Sequence, residues 1–232
     1  MTESRPRSMD AVRDEIVGSL TPVRPLAAPS RRVWMLVPFG IALAATAPLL
    51  EGGARANLAS AGPLLTWGLT GLQTLLGLWL LALGFREAVP GRNVSGRALA
   101  LATVLTVSLV VAITLVTNAA SHTGVPAGKV VQFWIECVIL PMAFGVPLLL
   151  VTTLMAVRAF PTRPAIAGGL CGMSAGVLSD AGWRLTCWIS DPAHVTSHGV
   201  SIVILTLAGA LLAVAVDAPR WRRLRTDRRA SR

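Results

Sequence analysis

The chain has 232 residues, of which 53% are hydrophobic and 14% charged, and it contains no tyrosine. A soluble domain carries about 25% charged residues. Here charge is absent from whole stretches of the chain, which excludes an ordinary soluble enzyme. The net charge of +10 would suit a nucleic-acid-binding protein, but the basic residues fall in short segments between apolar blocks. Their distribution along the chain therefore decides what they indicate.

The N-terminal arm, residues 1–32, is predicted to contain a short cytoplasmic amphipathic helix. Its apolar residues recur at intervals of three and four, as on one face of a helix. This stripe consists of Met9, Val12, Ile16 and Leu20. Ser8 is placed to cap the helix, and the prolines over residues 22–29 favour an extended segment up to the first apolar stretch.

An isolated helix of this length is marginally stable in water, so its apolar stripe is expected to lie on a surface. One alternative is the headgroup region of the bilayer, and the other is a groove on a cytoplasmic protein. The acidic residues Asp10, Asp14 and Glu15 weigh against an anionic membrane surface.

Six stretches are long and apolar enough to cross a bilayer, which takes a helix of about 20 residues. They are Val33–Leu50, Pro63–Leu83, Ala98–Val116, Val131–Val157, Ala165–Gly182 and Val200–Val216. The sequence therefore predicts an all-α polytopic membrane protein. A six-helix transmembrane domain over residues 33–216 would follow the arm and precede a basic cytoplasmic tail, residues 217–232.

The basic residues divide unequally between the two sides of this bundle. Residues 1–32 hold six, the loops 85–97 and 158–164 hold three and two, and the tail holds seven. The opposite side holds only Arg55, Lys129 and Arg184. Because cytoplasmic loops are enriched in Lys and Arg, both termini are predicted to be cytoplasmic. The positive charge then indicates the topology of the chain. The tail is expected to contact anionic lipid, and no direct contact with nucleic acid is expected.

The fifth predicted span carries Gly168, Gly172 and Gly176 at intervals of four residues. Small residues at this spacing let two membrane helices approach closely. The stripe predicts either packing within the bundle or a homodimer, and internal packing is favoured because six helices must contact one another. At the end of the same span, Asp180 and Arg184 predict an ion pair, and Trp183 is interpreted as an interfacial aromatic residue.

Two of the three cysteines are candidates for chemistry. Cys171 lies among the glycines of the fifth span and is interpreted as a small packing residue. Cys137 and Cys187 lie near the outward ends of the fourth and fifth spans, on the exoplasmic side, where disulfides persist. A reversible disulfide and a soft-metal site are both compatible with this placement.

All three histidines fall on the same side of the predicted bundle and are candidate metal ligands. They are His122, His194 and His198. The last two have the spacing of a helical metal pair, but the glutamate of the zinc-protease motif is absent. No catalytic motif is present, so an enzyme is not expected.

Taken together, the chain resembles the NrsF-type polytopic anti-sigma factors, six-helix inner-membrane proteins of bacteria. The similarity covers nearly the whole chain. It rests on LTPVRPL at residues 20–26, Cys137 at the start of the fourth span, FPTRPAIAGG at residues 160–169, and the glycine-rich fifth span ending in LTC at residues 185–187. The chain departs from the family at Trp188, where many members have proline.

The resemblance implies a function and its site residues. The arm, at about residues 9–24, would hold an extracytoplasmic-function sigma factor away from RNA polymerase, and Cys137 and Cys187 would sense heavy metals or oxidants. The implied location is the bacterial inner membrane, with no cofactor beyond a transient heavy-metal ion at the cysteines. The alternative is a small transporter or metal-uptake protein with an outer site formed by the histidines and cysteines.

Overall fold

The computed structural model describes residues 8–19, 27–50, 63–120, 128–187 and 192–230, and the regular structure within them is α-helix. The helices are α1 (Met9–Ser19), α2 (Pro29–Leu50), α3 (Pro63–Glu87), α4 (Gly96–Ala120), α5 (Val130–Val157), α6 (Pro164–Trp183) and α7 (Pro192–Ala230). The predicted all-α class is confirmed. Ser8 Oγ accepts a hydrogen bond from the amide of Ala11 at 3.2 Å, which confirms the predicted cap of α1.

Four helices are long and apolar enough to cross a membrane within the described residues. These stretches are Gly68–Glu87, Gly96–Val116, Val130–Val157 and Thr196–Pro219. The prediction of six spans is therefore supported at four positions. The fifth predicted span is helical as α6, but its glycines, serines and Asp180 make it less apolar. The first is helical as α2, but several side chains near its end lie outside the described residues.

The predicted cytoplasmic position of both termini is not supported by these helices, because length and composition do not specify a direction. The boundary between the transmembrane domain and the basic tail stays a prediction, because a single helix covers both sides of it. α7 continues through Pro219 to Ala230, so residues 217–230 extend the last helix.

α6 lies at the centre of the bundle and contacts α2, α3, α5 and α7. Its glycine stripe faces α7. A Cβ added at Gly172 would overlap the backbone carbonyl oxygen of Leu205, and one added at Gly168 would overlap that of Gly209. Internal packing of the glycine stripe is thus confirmed, because α7 occupies the surface that a second copy of the chain would need.

A buried carboxylate joins three segments at the end of the bundle where α3 ends and α6 begins. Glu87 is fully buried, and its two oxygens accept hydrogen bonds from Arg163 Nε at 2.6 Å and Nη2 at 2.7 Å. The same carboxylate accepts the amide N–H of Val94 at 2.6 Å. These hydrogen bonds raise the pKa of the Arg163 guanidinium and fix the turn before α6 against the end of α3.

Glu87→Leu should lower the free energy of unfolding by about 1–3 kcal/mol, because it leaves the buried amide of Val94 without an acceptor. Reversible unfolding in mixed detergent micelles would measure the loss. Asn93→Ala is the matched control, since it removes from the same loop only an exposed hydrogen bond to Thr162. Equal stability of the Glu87 variant and the wild type would show that the carboxylate does not hold this end together.

Arg32 attaches the segment before α2 to the same end of the bundle. Its side chain is buried, its Nε donates to the carbonyl oxygen of Ala27 at 2.8 Å, and its guanidinium lies 6.0 Å from the centre of the Phe85 ring. Burial lowers the pKa of this guanidinium. The chain that leads back to α1 therefore begins at the end of α3 that carries Phe85 and Glu87.

Candidate functional site

Three potential metal ligands from separate parts of the chain meet at the end of the bundle where α6 ends and α7 begins. Cys137 lies on α5, Cys187 in the turn after α6, and His198 on α7. One ligand atom from each of the three lies within 4.8 Å of those of the other two, and all three side chains are buried. We call these three residues the thiol–imidazole cluster.

Local backbone structure explains how Cys187 reaches this position. The helical turn continues past the end of α6, since the amides of Thr186 and Cys187 both donate to the carbonyl oxygen of Trp183 at 3.0 Å. On the other side, the indole Nε1 of Trp134 donates to Thr196 Oγ1 at 2.8 Å. That bond ties α5 to α7 close to the positions of Cys137 and His198.

An apolar wall covers the two cysteines. Trp183 packs against both, and its ring lies 6.2 Å from that of Phe144 in a stacked arrangement. The predicted interfacial role of Trp183 is wrong, because its side chain is only 6% exposed. Its indole Nε1 is buried without a geometrically well-formed hydrogen bond among the described residues. The wall thus places an indole N–H donor close to the two thiols.

A fully buried carboxylate supports the cluster from the opposite side. One oxygen of Asp180, Oδ1, contacts Nδ1 of His198. The other, Oδ2, accepts hydrogen bonds from Gln73 Nε2 at 2.6 Å and Arg184 Nε at 2.8 Å. The predicted ion pair with Arg184 is confirmed, and Asp180 in addition joins α3, α6 and α7 at one point. Because Nδ1 of His198 contacts the carboxylate, a cation bound by this ring would be coordinated through Nε2.

The predicted cysteine candidates are brought together, and they are thiols in this structure. Cys171 lies apart from them, fully buried, with its sulfur 3.8 Å from the carbonyl oxygen of Thr152, as expected for a packing residue. Of the histidines, His198 joins the cysteines. The side chain of His194 and the whole of His122 lie outside the described residues, so a site made of three histidines remains a prediction.

The supporting residues of the cluster were not recognised as such from the sequence. Asp180 was paired only with Arg184, and Gln73 was not among the candidate residues. Their signal was present nonetheless, because ionisable and amide side chains inside apolar helices are costly and mark functional positions. Sequence separation concealed their partnership, since Gln73 and Asp180 are 107 positions apart.

The predicted partner-binding stripe is described only in part. Met9 is 87% exposed and the neighbouring Val17 is 58% exposed, so α1 presents apolar side chains at its surface. The side chains of Val12 and Ile16, and the whole of Leu20, lie outside the described residues.

Comparison with known proteins places the chain in a regulatory context. A protein-family model described as negative regulator of sigma F, NrsF, matches residues 16–221. The matched region includes the thiol–imidazole cluster, all helices from α2 to α6 and the last residues of α1. No curated protein and no solved structure matches the chain.

Proposed function

The chain belongs to the NrsF family of negative regulators of sigma F, a family of regulators rather than enzymes, and we propose that it is an inner-membrane anti-sigma factor. Its N-terminal arm holds an extracytoplasmic-function sigma factor. It releases that factor when Cys137 and Cys187 bind a heavy metal or are oxidised. The observation that carries the proposal is the convergence of two buried thiols, distant in sequence, within the region matched by a family of sigma-factor regulators.

We place all six predicted helices in the membrane, including α2 and α6. α6 is surrounded by α2, α3, α5 and α7, so it contacts protein more than lipid. A central helix can therefore be poorer in large apolar residues and richer in glycine than its neighbours. The unequal distribution of arginine then places both termini in the cytoplasm and the cluster at the periplasmic end.

In this arrangement the thiol–imidazole cluster, which receives the signal, and the arm, which holds the sigma factor, lie at opposite ends of the bundle. Gln73, beside the cluster, and Phe85, beside Arg32, are 12 residues apart on α3, which is about 18 Å along a helix. A change at the thiols must therefore travel along helices to reach the arm, because the described segments that join the two ends are helical.

α2 is the helix that can carry this change. Near one end it contacts α6 so closely that a Cβ added at Gly182 would lie 3.1 Å from Ala44 Cα, and Gly182 directly precedes Trp183 of the thiol wall. At its other end Arg32 binds Ala27, in the segment that leads to the arm. A shift of the end of α6 on metal binding or oxidation would thus move α2 and, with it, the attachment point of the arm.

Met9→Asp should weaken binding of the sigma factor at least tenfold. Burial of an exposed methionine contributes about 1.5–3 kcal/mol, which corresponds to one to two orders of magnitude in Kd, and a carboxylate abolishes that gain. The measurement is the Kd of the purified sigma factor for the full chain in lipid nanodiscs.

Ala11→Asp is the matched control for this experiment. Ala11 is also exposed on α1 but lies off the stripe, so it adds the same charge without removing an apolar contact. Equal loss of affinity in both variants would indicate a general charge effect. Binding of α1 to vesicles, with no capture of the sigma factor by the full chain, would favour the membrane-surface role of the arm.

A further inference from the structure

We infer that Cys137, Cys187 and His198 form a three-ligand site for a soft divalent cation, with Asp180 as the residue that positions the imidazole. The inference rests on the proposed function for its role in signalling and identifies the ligand class that the cysteines take. It also names two residues, His198 and Asp180, that act together with the thiols.

The ligand set and its spacing match such a cation. Thiolate sulfur and imidazole nitrogen are the donors that soft and borderline cations prefer. In tetrahedral zinc sites the metal lies about 2.3 Å from sulfur and about 2.0 Å from nitrogen, which puts neighbouring ligand atoms about 3.5–3.8 Å apart. The three atoms here lie within 4.8 Å of one another, so an approach of at most about 1.3 Å brings each pair to that distance. A disulfide would use only the two sulfurs and would not engage the His198 imidazole.

The contact between Asp180 and His198 is the second observation that points to a metal. Histidines that bind metal through one nitrogen commonly donate the other N–H to a carboxylate, which fixes the tautomer and the orientation of the ring. Asp180 Oδ1 contacts Nδ1 of His198 in this way, so the cation would bind through Nε2. Gln73 and Arg184 in turn hold the second oxygen of Asp180, so the carboxylate cannot rotate without breaking both bonds.

Charge balance favours a divalent cation. Binding replaces two S–H protons by one M²⁺, forms two M–S bonds and one M–N bond, and releases two protons to water. The charge of the buried cluster is unchanged by this exchange, which matters because a net buried charge is costly. The indole N–H of Trp183, which packs against Cys137, can then donate to a thiolate sulfur, a stronger acceptor than a thiol.

The test uses the full chain in detergent micelles under anaerobic, reducing conditions, with Cd²⁺ as the probe. We expect one Cd²⁺ per chain, a sulfur-to-metal charge-transfer band, and the release of two protons per bound cation. With ¹¹³Cd and ¹⁵N-histidine labelling, a scalar coupling should connect the metal to Nε2 of His198. Binding with no coupling to His198 would overturn the inference, as would the absence of Cd²⁺ binding to the reduced protein.

Three variants distinguish the loss of a metal ligand, the loss of the positioning residue and a general loss of fold. His198→Gln should remove the coupling and weaken Cd²⁺ binding at least tenfold. Asp180→Asn should retain the sulfur-to-metal band and weaken Cd²⁺ binding about 10–100-fold. It should also alter or abolish the coupling between the metal and Nε2 of His198. A loss of packing alone would not change this coupling while the band is retained. Cys171→Ser, a buried thiol outside the cluster, is the control and should bind like the wild type. Unchanged coupling and affinity in Asp180→Asn would overturn the positioning role.

The same preparations distinguish this inference from the proposed function. If the wild type binds Cd²⁺ through the three ligands but never retains a sigma factor, the site stands and the anti-sigma proposal fails. If the sigma factor is retained and then released by oxidant alone, with no Cd²⁺ bound, the regulator stands and the metal site fails.

Discussion

Replacement of both Cys137 and Cys187 by serine should leave the sigma factor bound under conditions that release it from the wild-type protein. Serine keeps the size and hydrogen-bonding capacity of the side chain, but its hydroxyl forms no disulfide and is a poor ligand for soft cations. We therefore expect basal retention to be unchanged and signal-dependent release to fall to the background. A reporter gene transcribed from a promoter of the sigma factor, measured before and after addition of Cd²⁺ or an oxidant, gives both values.

Cys171→Ser is the internal control for this experiment. It removes a thiol that is equally buried but lies beside Thr152, so release should remain as in the wild type. A normal response in the double variant would remove the thiol–imidazole cluster from the mechanism. Constitutive release would show instead that the thiols are needed for the inhibitory fold. Circular dichroism and the Kd for the sigma factor, measured on the double variant, would distinguish this loss of fold from a loss of signalling.

The helices could be predicted from the sequence because each depends on a local pattern. The lengths of the apolar stretches alone predicted the positions of α2 to α6 to within a few residues. The recurrence of apolar residues at intervals of three and four predicted α1. The sixth predicted span, Val200–Val216, lies within α7, which runs from Pro192 to Ala230, because apolar length marks the part of a helix that can cross a bilayer and not the ends of the helix. The glycine stripe predicted close packing of α6, but only the structure identifies α7 as the partner.

The candidate site could be predicted only one residue at a time. Cys137 and Cys187 were selected because they fall near span ends on the same side. His198 was selected because it lies on that side as well and is four residues from His194. That these three meet, and that Asp180 supports them, depends on how α3, α5, α6 and α7 pack. Such contacts join positions tens of residues apart, and no spacing within a single helix encodes them. Trp183 illustrates the limit, because a tryptophan at a span end has the same local sequence whether it faces lipid or a buried thiol.

Gly172→Ala should lower the free energy of unfolding by about 1–3 kcal/mol, the usual cost of adding a group to a packed interface. The atoms that the new methyl group would meet belong to the backbone of α7, at Leu205 and Thr206, so no side-chain rotation can relieve the overlap and the two helices must separate. Reversible unfolding in mixed detergent micelles, followed by circular dichroism, measures the change.

Gly169→Ala is a closely matched control, because it adds the same methyl group at a neighbouring position of α6. There the nearest atoms, at Ala210 and Thr206, are 3.8 and 3.9 Å away, an ordinary contact distance. Its stability should therefore stay within about 0.5 kcal/mol of the wild type. Equal stability of the two variants would show that α6 and α7 are not closely packed at Gly172.

The same interface should also control the chemistry of the cluster. Gly176 lies one helical turn before Asp180, and a Cβ at Gly176 would lie 2.8 Å from Cα of Ile202, one turn after His198. Gly176→Ala should therefore move His198 away from Asp180 and the two thiols, and weaken Cd²⁺ binding more than Gly169→Ala does. Such a difference would show that the close approach of α6 and α7 is what assembles the site. Equal affinities would mean that the cluster tolerates separation of the two helices.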